Sequence, residues 1–304
     1  MARASRVPDR LAPLALPALN GKQVVVTGGS AGIGQACALA LAAAGATVVL
    51  GVRNLAKGQT TAGLIRAATP GAQVRVEEIE LGSLAGINAF ATRVGTTPID
   101  LLINNAGLSS NDPAATTTDG LELLVGVNYF GAYALTCGLW PALTAAAGRV
   151  VMLGSLMATR GQINAEFGGP TGSTTRSYSD SKLAAVLFAS ELHQRCQRAG
   201  SPVTAVAAHP GWAQTDIFTA NGPPGVVNWL GKLFGALQSP ADGAQPVLMA
   251  ATTADPAPYY GPLSHGGLAG PAGAVALPRG ALVDGAGATI WKISEQLTGV
   301  TLRP

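Results

Sequence analysis

Charge is scarce in this sequence. Aspartate, glutamate, lysine and arginine together make up 12% of the 304 residues, and 19 basic against 16 acidic side chains leave a formal charge of +3. A disordered chain is rich in charge and poor in apolar groups; with 48% hydrophobic residues this one is the opposite, a folded chain able to bury a large core. No lysine or arginine cluster forms a basic footprint, so no nucleic-acid partner is expected. Cysteine is rare as well. Cys37, Cys137 and Cys196 are odd in number and include no C-x-x-C pair, which excludes a disulfide framework and a zinc signature. His193, His209 and His265 are too scattered for a metal site. Long apolar runs are also missing. No stretch of about 18 residues is free of glycine, proline and charge. Pro8, Pro13 and Pro17 break the only apolar part of the N-terminus. The expectation is a cytoplasmic protein with no signal peptide, membrane span or N-terminal anchor.

Glycine and proline, by contrast, are plentiful, at 40 and 20 residues. They fall between apolar runs and read as turns. After a loose arm over residues 1–20, strands are expected at 23–27, 47–52, 73–81, 99–103, 149–153 and 203–209. The first two are short continuous apolar runs rich in β-branched residues. Between them lie proline-poor stretches that read as helices: 32–44, 54–68, a segment begun by Ser83 as N-cap, 121–139 and 177–198. Strict alternation predicts an α/β fold, a single doubly wound parallel sheet with helices on both faces, over residues 21–304. Ligands of such sheets bind beyond the carboxyl ends of the strands. Residues 254–290, rich in glycine, proline and alanine, read as a packed irregular region or a wall of the substrate pocket.

The first strand ends in Thr27-Gly28-Gly29-Ser30-Ala31-Gly32-Ile33-Gly34 and a helix follows. Glycines allow a tight turn and close approach to a pyrophosphate, and the helix start offers free N–H groups and a positive dipole end. The second strand runs into Arg53-Asn54, with no acid between Gly45 and Arg66. A carboxylate there would bind a ribose 2′-hydroxyl and repel a 2′-phosphate, whereas a guanidinium grips the phosphate. NADP(H) is therefore the preferred cofactor, with NAD(H) the alternative. Lys57 lies one helical turn further on.

Tyr178 and Lys182 stand at i and i+4 and share one helix face. An ammonium and a cationic nicotinamide beside a phenol would favour the phenolate and lower its pKa. So tuned, Tyr178 exchanges a proton with a carbonyl or alcohol oxygen. Ser155, at the end of the fifth strand, hydrogen-bonds the same oxygen.

The spacing T-G-x-x-x-G-x-G resembles the phosphate motif of the short-chain dehydrogenase/reductase family, which has a Rossmann-like fold. Four further segments resemble that family in order: Ile79-Glu80-Leu81, Asn104-Asn105-Ala106-Gly107, the Ser155/Tyr178/Lys182 set, and Pro210-Gly211 with Thr215. The resemblance implies that Glu80, with Leu81, borders the adenine, where the family usually has an aspartate. It implies that Asn105, Ala106 and Gly107 lie beside the adenine ribose, and that Lys182 holds the nicotinamide ribose. Asn128 would support a water relay to Lys182, and Pro210, Gly211 and Thr215 would face the carboxamide. The 23-residue gap from Ser155 to Tyr178, Gly51-Val-Arg-Asn, His-Pro-Gly-Trp and the C-terminal segment resemble the retinol dehydrogenase and protochlorophyllide reductase-like branch. That branch implies a lipophilic carbonyl or alcohol substrate and NADP(H). Residues 157–177 and 217–237 are expected to border the substrate, the latter as an apolar lid, an oligomer face or a membrane contact. The expected function is an NADP(H)-dependent oxidoreductase of carbonyls and alcohols, able to form a homo-oligomer. The alternatives are a catalytically silent nucleotide-binding sensor or scaffold, and an NADPH-dependent C=C reductase.

Overall fold

All six expected strands form. In a computed structural model, which describes residues 11–164, 166–213 and 237–304, they are β1 (Gln23–Thr27), β2 (Thr47–Val52), β3 (Val74–Glu78), β4 (Leu101–Asn104), β5 (Arg149–Leu153) and β6 (Thr204–Ala208). They pair in parallel in the order β3-β2-β1-β4-β5-β6. Strand order reverses at β1, which has β2 on one side and β4 on the other. The fold is thus a doubly wound α/β sheet of Rossmann type, and the β1/β4 crevice is where a ligand is expected. β3 stops short of the expected Leu81 because β2, its sole neighbour, ends at Val52 opposite Glu78.

Alternation along each strand builds two apolar cores. Val25, Leu102 and Val150 face one side of the sheet; Val24, Val26, Leu101, Ile103 and Val151 face the other. The second side is covered by α1 (Gly32–Ala43), α2 (Leu55–Ala68, capped by Asn54) and α8 (Pro240–Thr252). The first is covered by α3 (Leu84–Val94), α5 (Gly131–Gly138), α7 (Thr174–Ala199) and α9 (Ala286–Thr298). Ser83 caps α3 as expected, accepting from Gly86 N at 3.1 Å.

The expected helix 121–139 is not one helix. It divides into α4 (Leu123–Val125), a π-helical turn over Gly126–Phe130, and α5. Gly126 and Gly131 press against Thr117 and the Leu81 carbonyl, where any side chain would overlap. Close contact at both ends spreads the turn. A short α6 (Trp140–Ala145) then leads to β5.

Two further expectations are corrected. Residues 11–20 of the N-terminal arm are not loose: Leu11 N donates to Asp242 Oδ1, Gln245 Nε2 donates to Ala12 O, and Leu14, Leu16 and Leu19 pack on the core. Residues 254–290 are not irregular throughout. They add β7 (Tyr259–Ser264), parallel to β6, and β8 (Ala269–Ala274), antiparallel to β7. Glycine and alanine hide these strands from a search for β-branched residues, yet the backbone ladder needs no side chain.

At the centre of the first core, Phe188 (0% exposed) lies against Tyr129, Tyr133 and Trp291, joining α7 to the π-turn, α5 and α9. Phe188→Ala should cost about 3–5 kcal/mol of unfolding free energy in urea titration. A loss below about 1 kcal/mol would show that these helices do not depend on the aromatic cluster.

Candidate active site

Thr27 closes β1 inside the crevice. The residue is 1% exposed and its hydroxyl is fully used: it donates to Ile103 O at 3.3 Å and accepts from Asn105 N and from Ala106 N at 3.0 Å each. Asn105 Nδ2 returns a bond to Thr27 O at 2.8 Å. The ends of β1 and β4 are thereby locked together just where the strand order reverses. Gly28 takes φ +67°, which favours glycine, and a Cβ on Gly34 would overlap Gly28 O and Asn105 Nδ2. α1 starts with no side-chain cap, so its first N–H groups are left for another acceptor.

This turn opens on a groove. One end is lined by Gly28, Ser30, Ala31, Arg53, Asn54, Glu80, Leu81, Ala106 and Gly107. The other is lined by Ala31, Gly32, Ile33, Gly34, Asn105, Ala106 and Gly107, and continues to Ser155, Tyr178, Lys182, Pro210 and Gly211. Ala31, Ala106 and Gly107 belong to both parts, so the groove is continuous. The described residues singled out for cofactor binding therefore come together. Thr215 lies outside the described residues. The chemistry of the lining suits a dinucleotide: bare backbone and helix N–H groups in the middle, and the exposed cations Arg53 and Lys57 at one end.

Two of these side chains already have protein work. Asn54 Oδ1 caps α2 by accepting from Lys57 N, and Glu80 Oε1 accepts from Gly82 N at 2.9 Å. The longer acid folds back on its own turn. Arg53 has no hydrogen-bond or ion-pair partner among the described residues.

Ser155, Tyr178 and Lys182 meet because β5 ends beside the first turns of α7. Lys182 is 2% exposed, and its Nζ donates to Leu153 O at 3.0 Å and lies 5.7 Å from the centre of the Tyr178 ring. Burial pushes Lys182 down to about 8. The expected lowering of Tyr178 is not found in these surroundings: burial raises it, only partly opposed by its hydrogen bond with Ser155. The protein's own side chains thus keep the phenol protonated near neutrality. Asn128 sits in the π-turn, 3% exposed, and is clamped to Leu108, accepting from its N (2.8 Å) and donating to its O (3.0 Å). It stands behind Gly107, not in the groove wall.

Beyond Ser155 lies a second space, a cavity of about 700 Å³ walled by Leu156, Thr159, His209, Tyr259, Pro262, Leu263 and residues 275–279. The C-terminal strands thus form a wall beside the site, one of the two roles expected for that region. Among the described residues of the insert 157–177, Thr159 alone lines this wall. Two others anchor the insert elsewhere: Gln162 N donates to Asp180 Oδ1, and Phe167 is buried against Tyr129 and Phe130. Segment 217–237 lies, but for its last residue, outside the described residues. Tyr259 and His209 were not singled out as cavity residues. Alternation of apolar runs carries no sign of them, because β7 reaches the site only through its pairing with β6.

The buried ammonium has a measurable consequence. Between about pH 8 and 10.5 the unfolded chain holds a lysine proton that the folded chain has lost, so stability rises with pH across that window. Lys182→Met should therefore stabilise the fold at pH 7, by about 2 kcal/mol. The gain should shrink as pH is raised from 8 to 10, read from urea unfolding at each pH. Destabilisation at pH 7, or a gain that ignores pH, would contradict the burial.

Comparison with known proteins agrees with this geometry. A family model described as short chain dehydrogenase matches residues 22–224. The chain is 41% identical over 205 residues to Retinol dehydrogenase 13 of Mus musculus, which covers 66% of this chain and 60% of that protein, about three-fifths of the relative's length. The crystal structure of an uncharacterised protein from Mycobacterium paratuberculosis superposes with a TM-score of 0.79 at 36% identity, covering 96% of this chain and 100% of the other. A metagenomic short-chain oxidoreductase in complex with NADP superposes with a TM-score of 0.57 at 25% identity, covering 80% and 96%. With its glycine-rich turn, strand order and family match, the chain belongs to the short-chain dehydrogenase family, on its retinol dehydrogenase-like branch.

Proposed function

We propose that the protein is an NAD(P)-dependent oxidoreductase that interconverts a carbonyl and an alcohol, with NADP(H) preferred and a lipophilic substrate. The observation that carries this reading is one continuous groove. It runs from a phosphate-binding turn to a serine, a half-buried tyrosine and a buried lysine. The nicotinamide, when bound there, supplies or accepts the hydride. Every other part of the work falls to this chain.

Arg53, without a partner among the described residues, is suited to a 2′-phosphate, and Lys57 lines the same end. A neighbouring fold that carries NADP supports this preference. Lys182 spends one N–H on Leu153 O and has two more for the nicotinamide ribose. Ser155 orients the substrate oxygen by hydrogen bonding. Burial favours the protonated Tyr178, so in the reductive direction it gives its proton to that oxygen as the carbon receives hydride. In the oxidative direction Tyr178 takes the proton back. Asn128 acts as a positioning residue, fixing the Leu108 backbone at the edge of the groove. The 700 Å³ cavity beside Ser155, with Leu156, Pro262 and Leu277 in its wall, has room for a lipophilic substrate.

Fluorescence titration should give tighter binding of NADPH than of NADH, and Arg53→Ala should erase most of the difference. Tyr178→Phe should lower kcat for carbonyl reduction at least about a hundredfold with NADPH affinity kept. Equal affinity for both cofactors would refute the Arg53 assignment. Tight cofactor binding with no turnover on a broad carbonyl panel would replace the enzyme with a nucleotide sensor.

A further inference from the structure

The cavity beside Ser155 is not wholly apolar. Two buried side chains in its wall, His209 and Tyr259, are each 3% exposed. His209 Nδ1 accepts a hydrogen bond from Gly211 N at 3.3 Å. That leaves the ring proton on Nε2, and among the described residues no acceptor meets it. The Tyr259 hydroxyl likewise has no hydrogen-bond partner there. It stands 3.1 Å from where a methyl group on Gly154 would be, one residue before Ser155. The two rings lie side by side, centroids 5.3 Å apart.

Both side chains line the cavity, and among the described residues neither Nε2 of His209 nor Oη of Tyr259 has a hydrogen-bond partner. The backbone makes room for the pair: a Cβ on Gly261 would overlap the His209 ring. A wall that served only an apolar chain would be better built with phenylalanine at 259, since a buried donor without an acceptor is costly.

We infer that His209 and Tyr259 form a subsite for a second oxygen of the substrate, a carbonyl, ester or hydroxyl oxygen close to the reacting carbon. That oxygen accepts from His209 Nε2–H and Tyr259 Oη–H while the reacting carbonyl lies on Ser155 and Tyr178. The inference deepens the oxidoreductase reading and rests on it for the placing of the reacting carbonyl. Both donors are neutral near pH 7, because burial pushes His209 down to about 4 and raises Tyr259. A neutral acceptor therefore fits better than a carboxylate. The substrate class is an oxygenated carbonyl, such as a dicarbonyl or hydroxyketone with an apolar remainder.

Isothermal titration calorimetry of the full chain in the presence of NADP⁺ tests this with octane-2,3-dione and octan-2-one. The dione should bind about tenfold more tightly, the ordinary worth of one well-made hydrogen bond. Tyr259→Phe keeps the ring and should bring that ratio close to one. His209→Phe should do the same, while His209→Gln, which keeps a donor near the position of Nε2, should retain part of it. Equal affinities in the unmodified protein, or a preference that survives both phenylalanine variants, would overturn the subsite. Binding needs no turnover, so the two proposals fail separately. A protein that prefers the dione but reduces no carbonyl keeps the subsite and loses the hydride-transfer reading. One that reduces both ketones without preference does the reverse.

Discussion

An unpaired ammonium buried in the centre of the molecule is the constraint on which the site depends. Lys182 is 2% exposed, and its one hydrogen bond among the described residues runs to the last carbonyl of β5. Among the described residues no carboxylate pairs with it. Such a charge is costly, and it stays in place because the whole length of α7 is held around it. Phe188 and Trp291 pin α7 to α9, Tyr129 and Tyr133 pin it to the π-turn and α5, and Arg195 stacks on Trp291 at 4.1 Å. The aromatic core thus serves the chemistry indirectly. It presses the lysine and the tyrosine one turn before it against the end of a strand where Ser155 begins the next loop.

The nucleotide side of the groove relies on a different economy. Thr27, Asn105 and two backbone N–H groups saturate one another, so the β1/β4 crevice holds its shape without help from a ligand. The parts that would meet a dinucleotide are left unused: the uncapped start of α1, the bare glycines and the guanidinium of Arg53. Polar groups that are saturated build the frame, and polar groups left open mark what the frame is for. The same contrast sets His209 and Tyr259 apart in the substrate cavity.

Much of the fold was legible from the residues because its signals are local. A run such as Gln23–Thr27 has the length and β-branching of a buried strand, and its boundaries in the structure match those expected. The cap at Ser83 and the helix following Gly32 are equally local, since each depends on contacts within one turn. The π-turn at Gly126–Phe130 was not legible. Its cause is the approach of Thr117 and Leu81, which are near neighbours only after folding. β7 and β8 were missed for a related reason. Tyr-Tyr-Gly-Pro and Ala-Gly-Pro-Ala are poor strand formers alone, and they become strands because β6 offers an open edge.

By itself, then, the sequence determined the parallel α/β architecture, the glycine-rich turn after β1 and the Arg53 cation, which follow from residue type and short-range spacing, and its motifs carried the resemblance to the family. Tertiary structure decided what those pieces experience. The spacing of Tyr178 and Lys182 suggested a lowered phenol pKa, but burial, a property of the whole core, raises it and lowers the lysine instead. It also decided that the N-terminal arm from Leu11 is docked on α8, and that a glycine-rich C-terminal segment adds to the sheet and walls the cavity beside Ser155. Solvation and long-range pairing depend on residues far apart in the chain, and no local pattern encodes them.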